Sequence, residues 1–385
     1  MRRRALNGVL LGLWVTAACG ESTTVMQPVQ MAPEPAEAVA EPADSSNRAA
    51  LVGTLIGAQH GSALDEEALQ VELKALLERT PHDPFVLANL GTLSLRAGKT
   101  EAGLDYYEKW YERAETSAAG LALANELARV GEDERAEDIY RTLLRREPEL
   151  LGGKVGLGGI LYRRGALDEA WKVGVGLVRH HPAVEAGHAL LAAVALVRRE
   201  TGIAGLLIRR AKLAGAAGPS LAMVRGHWLE AKGELGDALM AYRRGAEAYP
   251  EQRILRAEFG RVSLQLEDFR GALESFERLL AADPTDFEAI LGAALACRGL
   301  GFFERADGLY QQLVGAESPS PRVLWNRAVL LHHHMGRFAE AVTLYDTLER
   351  VLPTPRPSVY ADLETARADA LAAQADAVAA EADGQ

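Results

Sequence analysis

Apolar and polar residues alternate along most of this chain at helical spacing, in runs of about a dozen residues separated by short polar or glycine-containing breaks. A longer period lies over these amphipathic runs. Small alanines stand at Ala102, Ala136, Ala170, Ala204, Ala238, Ala272, Ala306 and Ala341, each 34 residues after the last except for a final step of 35. Four residues beyond them come Tyr106, Tyr140, Ile208, Tyr242, Phe276, Tyr310 and Tyr345, with Gly174 as the exception. Gly131, Gly165, Gly233, Gly301 and Gly336 precede several of the alanines by five residues; Pro148, Pro182, Pro250, Pro284 and Pro353 follow by twelve. A fixed period of this length is the signature of stacked repeats.

The spacing predicts two helices per period. An alanine where helix B crosses helix A lets the two backbones approach, and the larger residue one turn later, on the same face, wedges against the next unit. Glycine permits positive φ in the turn between the helices. Proline, lacking an amide hydrogen, ends helix B. The first unit reads as one residue short between its helices, and the fourth has Ala216 in place of the proline.

Helix A carries paired residues at its middle: Leu90-Gly91, Leu123-Ala124, Leu157-Gly158, Leu191-Ala192 and Ala293-Ala294, with Arg225-Gly226 and Phe259-Gly260 as variants. With these in place the pattern resembles the tetratricopeptide repeat (TPR) family, specifically a bacterial TPR lipoprotein. The resemblance covers residues 84–355 as eight units, and Ala68 adds a degenerate unit or N-terminal cap over 51–83. It implies an all-α fold: a right-handed α-solenoid of about eight to nine helix-turn-helix units with a C-terminal capping helix over 356–385. Leu363, Ala366, Ala370 and Leu371 are expected on one face of that cap.

The resemblance also implies a concave groove lined by helix A, in which a partner peptide, helix or C-terminus lies. By register its residues include Arg96, Asn125, Arg129, Tyr162, Arg163, Arg261 and Arg298. Arg96, Arg129 and Arg163 recur at one place in three successive units, and such a stripe of guanidinium forks suits carboxylates. The competing reading is that they pair with neighbouring acids.

The N-terminal region is of a different kind. Arg2, Arg3 and Arg4 precede an uncharged apolar run, Ala5 to Ala18, too short to span a bilayer comfortably, and residues 1–18 read as a signal peptide. Val15-Thr16-Ala17-Ala18-Cys19 resembles a bacterial lipobox, with Thr16 where Leu is usual, so Cys19 is the expected lipidation site. Residues 19–50, rich in Pro, Ala and Glu, read as a disordered tether. The expected location is the outer membrane, facing the periplasm; a soluble periplasmic form is the alternative.

Charge and chemistry narrow the function further. The 385 residues carry a net charge of −11, becoming −14 once Arg2 to Arg4 are removed, which argues against nucleic acid. Two cysteines build no disulfide framework, and Cys297 is expected in the core of a helix A. The run His332-His333-His334 cannot share one metal ion on an intact helix, because adjacent residues point about 100° apart. No Gly-rich phosphate loop, catalytic carboxylate pair or activated Ser or Cys is evident, so neither enzyme activity, a metal nor a cofactor is expected. The leading expectation is a lipid-anchored adaptor for assembling an envelope machine (a pilus secretin, gliding motility, or outer-membrane or polysaccharide assembly). The alternatives are a soluble periplasmic chaperone or substrate-binding module and, third, a metal-binding or catalytic protein.

Overall fold

A computed structural model describes residues 66–315, 320–351 and 357–383. The signal segment, Cys19, the tether and residues 51–65 lie outside the described residues. What is described is helical throughout, with no strand. After α1 (Glu66–Arg79) come α2 (Pro84–Arg96) and α3 (Thr100–Ala114), α4 (Ser117–Val130) and α5 (Asp133–Arg146), and α6 (Leu151–Arg163) and α7 (Leu167–His180). Next are α8 (Glu185–Val197) and α9 (Thr201–Leu213), α10 (Pro219–Ala231) and α11 (Leu235–Ala248), and α12 (Arg253–Gln265) and α13 (Phe269–Ala282). The last pairs are α14 (Phe287–Leu300) with α15 (Phe303–Val314), and α16 (Pro321–Leu330) with α17 (Phe338–Val351), before α18 (Pro357–Asp383). A π-helical turn, Leu331–Met335, extends α16.

The chain divides into two compact units at Ala216/Ala217, where the sequence lacks the expected proline. Within each unit the A helices pack on their own B helices and on the B helices before them, and most also touch a neighbouring A helix, as α4 does α6 and α12 does α14. In the second unit α18 packs on α17 through buried Leu363 and Ala370, while Leu371 is exposed. Leu371 therefore leaves the face expected for it, being one residue, about 100°, beyond Ala370.

The A-to-B turn recurs eight times, with one variant in the last repeat. Its glycines Gly98, Gly131, Gly165, Gly233, Gly301 and Gly336 all have positive φ, and Arg199 and Glu267 adopt it where glycine is missing. The following amide reaches back five residues, as in Glu132 N–H to Leu127 O at 2.9 Å and Asp268 N–H to Ser263 O at 2.9 Å. These bonds satisfy carbonyls that the helix end leaves open. In the last unit the bond spans six residues, from Arg337 N–H to Leu331 O at 3.0 Å. That unit carries the extra residue of the 35-residue step, and the π turn absorbs it.

The alanines at the helix crossings from Ala136 to Ala341 are fully buried. The first unit differs from the sequence expectation. Ala102 is exposed, while Gly103 and Tyr107 take the crossing and wedge positions. Gly103 lies five residues after the turn glycine Gly98, as Ala136 lies after Gly131, so the turn has its full length. The missing residue falls instead between α3 and α4.

The Phe276 ring sits between small residues of successive A helices, and Tyr107, Tyr140 and Tyr242 each press on an A-helix glycine (Gly91, Gly156 and Gly226). A Cβ on Gly260 would meet the Phe276 ring at 2.8 Å, and one on Gly292, in the next A helix, would strike the same ring. Gly174 is the instructive exception. There α8 supplies the bulk: Leu190 closes on Gly158 and Leu191 on Gly174, each within 2.8 Å of where a Cβ would be.

Candidate functional site

The wedge tyrosines point their hydroxyls at polar positions on the A helices. Tyr107 and Thr92 share a hydrogen bond at 2.9 Å, Tyr140 donates to Asn125 at 2.6 Å, and Tyr242 donates to Glu230 at 2.6 Å. Burial raises the pKa of all three tyrosines. Asn125 therefore holds a ring in place as well as facing outward. In the seventh unit the residue fifteen before Tyr310 is Leu295, and the Tyr310 hydroxyl has no hydrogen-bond partner. Its pKa is pushed up to about 12 by burial.

Arg129 and Arg163 end the A helices α4 and α6 at equivalent places, as Arg96 ends α2. Arg129 turns to Glu126 of its own helix at 2.6 Å. Arg163, mostly buried, reaches back to Asp133 in the preceding repeat and also donates to Ala128 O. The same backward reach of thirty residues recurs further along the chain: Arg198 pairs with Asp168, and Arg337 with Asp307 at 2.6 Å. These arginines clamp one repeat to the next. Burial raises the Tyr107 pKa, and the charges of Arg96 and Arg129 partly oppose it. Tyr162 is partly buried beside Arg163 at the end of α6.

In the second unit Arg298 donates to Asn326 at 3.3 Å across α14 and α16. Arg261 of α12 donates to both carboxylate oxygens of Glu230 on α10 at 2.7 Å and through Nε to Glu258 at 2.6 Å. His227, on α10, meets the Tyr242 ring edge-on at 5.9 Å between centroids. Register puts Arg261 on this face, but Glu230 and Glu258 were not among the residues expected there. The available signal was the three-residue spacing of His227 to Glu230 and of Glu258 to Arg261, which puts each pair on one side of its helix.

His332 is buried, His333 stacks on it at 4.1 Å, and His334 stacks on Phe303 at 4.7 Å. Within the π turn the His332 and His333 rings lie face to face, while His334 turns away to Phe303. Burial lowers the pKa of all three. Cys297 is fully buried and burial pushes its thiol up, away from nucleophilic chemistry.

Comparison with known proteins agrees with this architecture. The tetratricopeptide repeat family matches residues 121–174, 223–287, 257–301 and 291–354. The BBSome complex member BBS4 of Bos taurus is 30% identical over 112 residues, 29% of this chain and 21% of that protein. The chain thus spans about a fifth of the length of that curated relative. Among solved structures, the APC/C hetero-tetramer Cut9-Hcn1 superposes with a TM-score of 0.53 at 15% identity, covering 79% of this chain and 59% of that one. PilF of Pseudomonas aeruginosa gives 0.45 at 20% identity, with 58% and 95% covered. At these identities the structural likeness is one of fold. The repeated positive-φ turn, the ring wedged between small residues and the family match along the chain lead to one assignment: the chain belongs to the tetratricopeptide repeat family.

Proposed function

We propose that this chain is a protein-interaction scaffold, lipid-anchored through Cys19 and facing the periplasm, and that it grips a protein partner while an envelope machine is assembled. The observation that carries the scaffold reading is the A-helix face. Within the first compact unit Thr92 and Asn125 stand at one register of consecutive repeats, and within the second His227 and Arg261 do the same, all partly exposed polar side chains on backbones fixed by buried small residues and wedged rings. A rigid, periodic display of this kind suits an extended peptide or a helix. A catalytic role is not proposed. Arg129, Arg163 and Arg261 are engaged by acids, so a partner here competes with Glu126, Asp133, Glu230 and Glu258 for them, most of all at the largely buried Arg163 and Arg261.

The anchor rests on the sequence alone: three arginines, an apolar run and Cys19 in a lipobox-like setting. Each buried methylene of an acyl chain contributes about 0.8 kcal/mol, so several chains on one cysteine hold a protein at a membrane without an inserted helix. Among the described residues no helix is long and apolar enough to cross a membrane. Thr16 in place of Leu favours the second reading, a soluble periplasmic module. Fractionation tests the anchor: the wild type sediments with outer membranes and Cys19→Ser is released. A variant that still sediments sinks the lipid reading. Cross-linking in the native envelope tests the scaffold, with a partner adduct expected at the Asn125 and Tyr162 face.

A further inference from the structure

We propose that His227, Glu230 and Glu258 form a binding site for a divalent cation of the zinc, cobalt and nickel class, tying the A helices of the fifth and sixth repeats together. One ligand atom from each residue lies within 4.8 Å of the others, and among the described residues this is the one such group of three. His227 and Glu230 stand three apart on α10 and project from the same side, while Glu258 comes from α12. An imidazole with two carboxylates is a borderline-to-hard donor set, which suits these ions better than calcium or copper(I).

The imidazole is the observation that turns an acidic pair into a site. Among the described residues no hydrogen bond reaches a ring nitrogen of His227, although the ring is packed against Tyr242 and faces two carboxylates. The Tyr242 hydroxyl fixes Glu230 from behind at 2.6 Å, the kind of outer support that orients a ligating carboxylate.

Arg261 already bridges the two glutamates, and its presence sharpens the inference. One guanidinium facing two carboxylates leaves one negative charge uncompensated. The arginine acts as a resident cation that weakens, and so tunes, metal binding by like-charge repulsion.

The test uses the full chain, stripped with chelator and titrated with Zn²⁺ by calorimetry and with Co²⁺ by visible absorption. Expected are one equivalent bound, ligand-field bands with Co²⁺, and a zinc-dependent rise in melting temperature. His227→Gln and Glu258→Gln each weaken binding roughly tenfold or more, the lower end of what outer-shell partners alone contribute. Arg261→Gln strengthens it roughly tenfold, since removal of a charge a few ångströms away is worth at least that at protein-surface screening. Circular dichroism establishes that each variant is folded. Should one unfold, the imidazole resonances of His227 in the wild type decide the matter, being shifted and broadened by Co²⁺. No saturable binding, binding indifferent to His227→Gln, weaker binding in Arg261→Gln, or unperturbed His227 resonances overturns the proposal.

Discussion

The Tyr140 hydroxyl donates to Asn125 Oδ1 at 2.6 Å, fifteen residues back on the neighbouring helix, while the Tyr310 hydroxyl, with Leu295 fifteen residues back, is buried without a partner. The same ring in the same slot thus carries opposite hydroxyl energetics. Tyr140→Phe should lower stability by about 1 kcal/mol through the lost hydrogen bond, and Tyr310→Phe should raise it by about 1 kcal/mol by removing an unsatisfied buried group. Paired urea denaturation measures both, and equal effects would contradict the assignment.

Arg199 and Glu267 hold positive φ in turns where the other repeats place glycine. A side chain there is disfavoured by about 1–2 kcal/mol, partly offset by the extra chain entropy glycine loses on folding. Glu267→Gly is therefore expected to stabilise by about 0.5–1 kcal/mol, and Arg199→Gly likewise. Gly131→Val in the equivalent turn is expected to destabilise by about 1–2 kcal/mol. Melting curves of the three variants decide it.

Gly260 and Gly308 look alike in sequence and differ in surroundings. A Cβ at Gly260 meets the Phe276 ring at 2.8 Å, whereas at Gly308, inside α15, nothing lies within 4 Å. Gly260→Ala should cost about 1–3 kcal/mol by overpacking the ring's slot. Gly308→Ala should gain about 0.5–1 kcal/mol from helix propensity alone.

Acid should loosen the second unit from the middle of the physiological range. His227, His332, His333 and His334 all have pKa values lowered from 6.5, burial being the first cause in each. The unfolded chain then binds protons before the folded one, so stability is full above about 6.5 and falls as pH drops towards the folded values. Melting temperature measured from pH 7.5 to pH 5 should decline, at about 2–4 °C for each kcal/mol lost. His332→Gln with His333→Gln should flatten that decline; an unchanged slope would exclude these two rings as its source.

Removing the Asp307 carboxylate should be among the more damaging polar substitutions. It is buried and paired with Arg327 at 2.7 Å and Arg337 at 2.6 Å; burial raises its pKa, but the two guanidiniums outweigh this and hold it below the usual value. Asp307→Asn leaves the Arg327 charge without its counter-ion, a change worth about 3 kcal/mol, softened where Arg337 is exposed. Thermal denaturation at neutral pH gives the test.

Periodicity made the repeat legible: Ala238 with Tyr242 and Gly233 announces helix crossing, wedge and turn without any coordinates. What failed was local. Ala102 mimics the small residue of its unit, and only packing reveals that Gly103 takes its place. The clamp from Arg163 to Asp133 was equally hidden, because residues thirty apart become neighbours only once repeats are superposed. The cluster of His227, Glu230 and Glu258 depends on the same superposition, and each residue alone reads as ordinary surface. Leu371 erred through the narrowness of a helical face, where one step decides between core and water.

The π turn at Leu331–Met335 is, in the language of crystals, a dislocation core. An added residue rotates everything after it by about 100° when a helix stays regular, and α17 would then present the wrong side to its neighbours. Here the misfit is discharged within five residues, so Gly336, Ala341 and Tyr345 return to phase with the repeats before them. An extra residue in one repeat is thus absorbed where the helix widens locally, and the three histidines form most of that widened turn.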